Sequence, residues 1–166
     1  MQVTLATNQG DIVLALNTQA APKTCANFAR YVQDGFYDGT IFHRVISNFM
    51  IQGGGFTVDM TQKPTRAAIQ NEARNGLKNQ LGSIAMARTS DPHSASSQFF
   101  INVKDNAFLD YSGEDNWGYC VFGQVTSGLD VVQTIAQVAT TRQAGHADVP
   151  ADPIMLQQAS LMADDA

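Results

Sequence analysis

TIFHRVISNFMIQGGGF, residues 40–56, decides how the rest of the chain is read. The stretch is mostly apolar and β-prone, yet a permanently charged side chain, Arg44, stands in it between His43 and Val45. It predicts two strands, one from about Thr40 to Ile46 and one from about Phe49 to Gly53. Side chains alternate between the two faces of a strand. Phe42, Arg44 and Ile46 are therefore placed on one face, and Ile41, His43 and Val45 on the other. Met50 and Gln52 share a face of the second strand. The glycines that follow, 53–55, read as a turn needing open dihedrals. A phosphate-binding loop is set aside, because TVDMTQKP comes next in place of a helix and no Lys-Ser/Thr pair is present.

Working outward, QVTLAT and IVLAL around the turn NQGD form a hairpin. In APKTCANFARYVQDG, Pro22 suits a first helical turn, Cys25, Phe28, Ala29 and Val32 follow helical spacing, and Gly35 stops the element. Residues 57–81 are polar and irregular, with one helical turn in AAIQNEARNG. GSIAMAR, SQFFINV and YCVFGQV read as strands, GLDVVQTIAQV as a second helix, and PIMLQQASLM as a final strand. The count is about eight strands and two helices that do not alternate with them, which argues against a doubly wound sheet. The expected architecture is mostly β, a closed eight-stranded antiparallel β-barrel capped by two α-helices, as one domain over residues 1–166. Closure removes exposed strand edges.

Composition agrees with a compact fold: of 166 residues, 44 % are hydrophobic and only 15 % charged. Net charge is −5 and Lys and Arg form no block, so nucleic acid and acidic membrane are not expected partners. No apolar run is long enough to span a bilayer, and the opening residues read as a strand, so the expected location is cytoplasmic. Cys25 and Cys120 fall at apolar-periodic positions, outside any CxxC or zinc pattern, and read as buried free thiols.

The same alternation puts Gln98, Phe100 and Asn102 on one face and Phe99, Ile101 and Val103 on the other. Arg44, Met50, Gln52, Gln98 and Phe100 then line an apolar groove with a few fixed donors, the usual make-up of a ligand site. Taken singly, each has a plainer reading. A strand arginine or glutamine is most often solvated, and Met50 and Phe100 are ordinary core residues. Only the combination favours a site. His43, His93 and His146 are scattered and lack metal-ligand spacing. His43 faces away from Arg44 and reads as a hydrogen-bonded structural histidine. DPHSASSQ shows no strand-to-helix elbow for a serine nucleophile.

FHRVISNFMIQGG, NEARNGLKN, GSIAMAR, SQFFI and YCVFGQV, in that order, closely resemble the cyclophilins, the peptidyl-prolyl cis-trans isomerases, and among them the bacterial cytosolic B-type enzymes. The resemblance runs nearly end to end. It implies the same barrel and two helices, and an enzyme that turns X-Pro bonds in peptides and in folding proteins, as a monomer and without cofactor or metal. Position by position it makes Arg44 the catalytic residue. Phe49, Met50, Gln52, Phe100 and Leu109 become the walls of a proline pocket. Ala87, Arg88, Thr89 and Gln98 become the rim that holds the residues before the proline, and Phe108 and Tyr119 complete the substrate contacts. Arg88 and Thr89 depart from the Asn and Ala common in eukaryotic members. Phe108 stands where many of them have the tryptophan that contacts cyclosporin, so weak binding of that inhibitor is expected. Tyr119 replaces a histidine. Ser47-Asn48 replaces a frequent Pro-Gly, a turn that Asn sustains by taking the left-handed conformation.

Amide rotation breaks no covalent bond, so a fixed donor in a dry groove is the feature such chemistry asks for. Gln52 is expected to orient the guanidinium, and backbone groups near Asn102 or Arg88 to pair with the extended substrate. Two other readings stand beside this one. A proline-peptide binding module or holdase would use the same groove without catalysis. A small-ligand barrel carrier is disfavoured, because Phe99 and Ile101 fill the interior such a carrier leaves open.

Overall fold

The computed structural model describes residues 1–162. The opening hairpin is β1 (Gln2–Thr7) and β2 (Gly10–Leu16), followed by helix α1 (Pro22–Gln33). Next come β3 (Thr40–Ile41), β4 (Arg44–Ile46) and β5 (Met50–Gly53), and after a long irregular segment β6 (Ser83–Met86) and β7 (Phe99–Asn102). The chain then forms β8 (Val121–Ser127), α2 (Leu129–Ala136), a hairpin of β9 (Thr140–Gln143) and β10 (His146–Pro150), and β11 (Met155–Met162).

Among the described residues, nine strands form one antiparallel sheet in the order β3-β11-β1-β2-β8-β6-β7-β5-β4, and β9 pairs only with β10. The mostly β, antiparallel fold with two helices is as expected, and only the detail differs: nine strands in one curled half-barrel sheet in place of eight in a closed barrel. The sheet curls, and its two outermost strands, β3 and β4, are consecutive in the chain with only Phe42 and His43 between them. The single strand expected over residues 40–46 is therefore two. Phe42 leaves the ladder, donates its N–H to the Ile154 carbonyl (2.9 Å), and turns its ring into the core, so it does not share a face with Arg44. The β9–β10 hairpin was not readable, because its residues are largely exposed and carry no apolar alternation.

Between the sheet and α1, the rings of Phe28, Phe99 and Phe122 are fully buried, with centroids of Phe28 and its two neighbours 5.5 and 5.2 Å apart. Phe99 and Ile101 fill the interior, as alternation along β7 predicts. Burial of aromatic side chains of this size supplies much of a domain's apolar stabilisation. Cys25 and Cys120 are buried and free, and burial pushes their thiols up to about 12 and about 11.

Helix α1 begins at Pro22 without a capping side chain of its own. Glu72, from the long irregular segment, supplies one: its carboxylate accepts from the Thr24 N–H (2.7 Å), the Thr24 hydroxyl (2.7 Å) and the Lys23 N–H (3.4 Å). A carboxylate at this end satisfies orphan N–H groups and complements the helix dipole. The contact ties the segment before β6 to the start of the helix.

Candidate functional site

Arg44 opens β4 and Gln52 lies directly opposite it on β5; Gln52 in turn pairs with Phe100 of β7. Three adjacent strands thus bring the arginine, the amide and the aromatic ring onto one outward face. Asn48 makes the tight β4–β5 turn at φ 62°, the left-handed conformation expected of it. Gly54 turns the chain after β5 at φ 91°, and Gly55 makes room for the site: a Cβ there would stand 2.6 Å from the Gln98 side chain.

The groove on this face has a volume of about 310 Å³ and is walled by Phe49, Met50, Phe100, Leu109 and Tyr119, with Phe108 at its mouth. Its floor belongs to a second apolar cluster, in which Met50 (2 % exposed) and Phe100 (4 %) pack on Ala85 and Val121. Met50 and Phe100 are therefore packed in place before any ligand arrives. Phe108 is 68 % exposed and stacks on Phe49 with centroids 5.8 Å apart. A second hollow, lined by Thr89, Gln98, Gln62, Ser94 and Ser96, shares Gln52, Ala87 and Arg88 with the first. All twelve residues singled out from the sequence line one or the other of these two hollows.

A relay of amides holds the arginine. Arg44 Nη1 donates to Gln52 Oε1 (3.4 Å), and Gln52 Nε2 donates to Gln98 Oε1 (3.0 Å). The groove is not dry around Arg44, however. The guanidinium is exposed, because β4 is an edge strand, and it lies open to solvent until something covers it.

Arg88 is fixed more firmly. Its Nε and Nη2 donate to the Gly118 carbonyl (3.0 and 2.9 Å), its Nη1 donates to the Thr89 carbonyl (2.9 Å), and the guanidinium sits 4.5 Å above the Tyr119 ring. Gly118 itself is held from behind by the Asn71 side-chain amide (3.1 Å). Sequence reasoning missed this tether, since residues 71, 88 and 118 come from three separate loops without a shared pattern.

One expectation is narrowed here and one is corrected. The Asn102 carbonyl already accepts from the Gly82 N–H (2.9 Å), which narrows the expected backbone pairing with a ligand towards its alternative near Arg88. The Asn102 side chain is buried, donating to Asn79 (3.0 Å) and Ser83 (2.9 Å) and accepting from Asn106 (2.8 Å). This polar knot braces the groove from beneath. His43 is buried at 5 % exposure beside Phe56 and His146, but its Nδ1 has no hydrogen-bond partner. Burial first, then His146 and Arg44, lower its pKa to about 4, so the ring is neutral at ordinary pH.

Residues 2–161 match the model of the family described as cyclophilin type peptidyl-prolyl cis-trans isomerase/CLD. The chain is 60 % identical over 162 residues to peptidyl-prolyl cis-trans isomerase cyp18 of Streptomyces antibioticus, covering 96 % of this chain and 98 % of the relative. It is 55 % identical over 161 residues to peptidyl-prolyl cis-trans isomerase B of Escherichia coli K12, with coverage of 96 % and 98 %. Among solved structures, a Cryptosporidium parvum cyclophilin type peptidyl-prolyl cis-trans isomerase, crystallised in the presence of the dipeptide Ala-Pro, superposes with a TM-score of 0.81 at 27 % identity. That match covers 99 % of this chain and 100 % of the other.

Proposed function

The chain belongs to the cyclophilin-type peptidyl-prolyl cis-trans isomerases, with its likeness to the bacterial B-type members, and we propose that Arg44 performs the isomerisation from the groove described above. The observation that carries the proposal is the cross-strand relay, Arg44 to Gln52 to Gln98, set against an apolar wall.

The physical argument starts from the amide. Rotation about a peptide bond is opposed by about 18–20 kcal/mol, because the nitrogen lone pair is shared with the carbonyl. At proline both isomers are populated, yet uncatalysed exchange takes roughly tens to hundreds of seconds. In the twisted transition state the lone pair returns to nitrogen, which becomes a better hydrogen-bond acceptor. A donor aimed there stabilises the twisted state more than the planar one, and that difference is catalysis. Arginine suits the task, being charged at every working pH and rigid in its fork.

Phe49, Met50, Phe100 and Leu109 take the proline ring in this reading, and Phe108 and Tyr119 contact the residue beyond it. Ala87, Arg88, Thr89 and Gln98 hold the preceding residues. In this reading the bound peptide covers Arg44 and excludes water, which strengthens the donor. The Ala-Pro dipeptide used with the parasite relative is the smallest X-Pro unit, and it supports proline peptides as ligands.

Unfolded and folding proteins with exposed X-Pro bonds are the proposed clients. The protein is proposed to act as a monomer and as one domain. Two unbridged thiols favour a reducing, cytoplasmic setting. Cyclosporin is proposed to bind weakly, since Phe108 offers no N–H and less area than an indole.

The test is exchange NMR on an Ala-Pro peptide with substoichiometric protein. Accelerated cis–trans exchange is expected. Binding that left the exchange rate unchanged would make the groove a docking module.

A further inference from the structure

The groove has a charge opposite to that of the chain. Net charge is −5, yet the residues lining the two hollows include two guanidinium groups, Arg44 and Arg88, and no carboxylate. Arg44 is assigned above to the proline nitrogen. Arg88 has no role in that step, and three hydrogen bonds and an aromatic ring fix it in place. All these partners are neutral, so they orient the cation without cancelling its charge. Among the described residues Arg88 has no carboxylate partner.

The acids of the flanking loops do not fill that role. Asp91 accepts from the His93 N–H (2.9 Å), and Asp110 accepts from the Asn79 N–H (2.7 Å) and side chain (3.1 Å). Glu114 and Asp115 are exposed and line neither hollow.

Resting on the isomerase reading above, we infer that the site selects X-Pro segments with a carboxylate next to the proline, and that Arg88 sets this preference. A guanidinium has five N–H donors. Three are taken by the Gly118 and Thr89 carbonyls, which leaves one each on Nη1 and Nη2. A carboxylate is the group built to take two such donors together. The ordering cost of the long side chain is met before the ligand arrives, so more of the attraction appears as binding. Arg88 is partly exposed, which keeps the effect modest.

The experiment measures kcat/KM by exchange NMR for matched peptides with Glu, Gln or Lys on either side of the proline, at about 20 mM and about 0.5 M salt. The expected result is a preference for Glu over Gln of about two- to five-fold at low salt, the range of a partly exposed ion pair, with Lys below Gln. The ratio should fall towards one at high salt and in Arg88→Gln, and Arg88→Lys should keep part of it. A Glu-to-Gln ratio of one or below at both positions in the native protein would overturn the inference, as would a ratio unmoved by Arg88→Gln. No acceleration of any peptide by the native protein would overturn the isomerase reading itself, and this inference with it.

Discussion

Arg44 and Gln52 face each other as direct partners across the antiparallel pair β4–β5, and the amide oxygen of Gln52 accepts from the guanidinium at 3.4 Å. The ladder fixes the spacing of the two backbones. The orientation of the fork is therefore set by strand register as well as by the side chain itself. The bond is long for its kind, which suits an arm still open to solvent that tightens when a ligand covers it.

If Arg44 is the donor, Arg44→Ala should lower kcat/KM for an X-Pro peptide by about 10²–10³, the scale of losing one preorganised donor. Arg44→Lys should recover only part, since it keeps the charge and loses the fork. Near-native rates in a folded Arg44→Ala protein would refute the mechanism.

If the relay positions Arg44, Gln98 contributes through Gln52, whose amide donates to it. Gln98→Leu removes the acceptor at 3.0 Å and leaves the Gln52 amide free to rotate. A several-fold loss, about one kcal/mol or the worth of one ordinary hydrogen bond, should appear in kcat/KM, with a part in kcat that loss of the rim contact alone would not give. A purely structural role would instead lower the melting temperature and leave kcat alone.

The pH response separates Arg44 from histidine chemistry. A guanidinium donor does not titrate at working pH, and His43, with its pKa lowered to about 4, stays neutral above pH 5. kcat/KM should be flat from about pH 5 to 8, where a general-base histidine would give a sigmoid. Stability should not be flat. The unfolded chain binds a proton at His43 near the ordinary 6.5 and the folded one only near 4. Stability is therefore full above the unfolded value and lost as pH falls towards the folded one, by on the order of 3 kcal/mol across the window. Urea melts of the native protein and His43→Phe at pH 7 and 4.5 should show a smaller drop in the variant.

Cyclosporin should bind weakly and gain from Phe108→Trp. Phe108 is already 68 % exposed, so the larger ring needs no room made for it, and an indole adds area and an N–H. Calorimetric titration reads this directly, and tight binding by the native protein with no gain in the variant would rule it out.

Much of the site is legible in β5 and β7, where strict alternation sends Ile51, Phe99 and Ile101 inward and Met50, Gln52 and Phe100 to the groove. A period of two survives any tertiary context that keeps the strand. Phe42 broke the reading because its partner, the Ile154 carbonyl, lies over a hundred residues away, and nothing local marks the place where a sheet stops. The Asn79, Ser83, Asn102 and Asn106 knot escaped for a similar reason. Buried amides look like surface amides until the fold supplies their partners. The resemblance carried Arg88 into the site, but only the structure shows what its side chain does.

The seam at Phe42 and His43 also bears on timing. β3 is seated by β11, the last strand among the described residues, through the pairs Met155 with Ile41 and Leu156 with Thr40. Arg44 stands three residues beyond Ile41. Contacts this distant in sequence close late, because the loop entropy must be met first. A nascent chain emerging from the ribosome would carry the arginine, the amides and the apolar wall long before the seam is locked. If Arg44 is the donor, activity should then depend on β11 having docked, so that a catalyst of folding is silent until its own seam is closed.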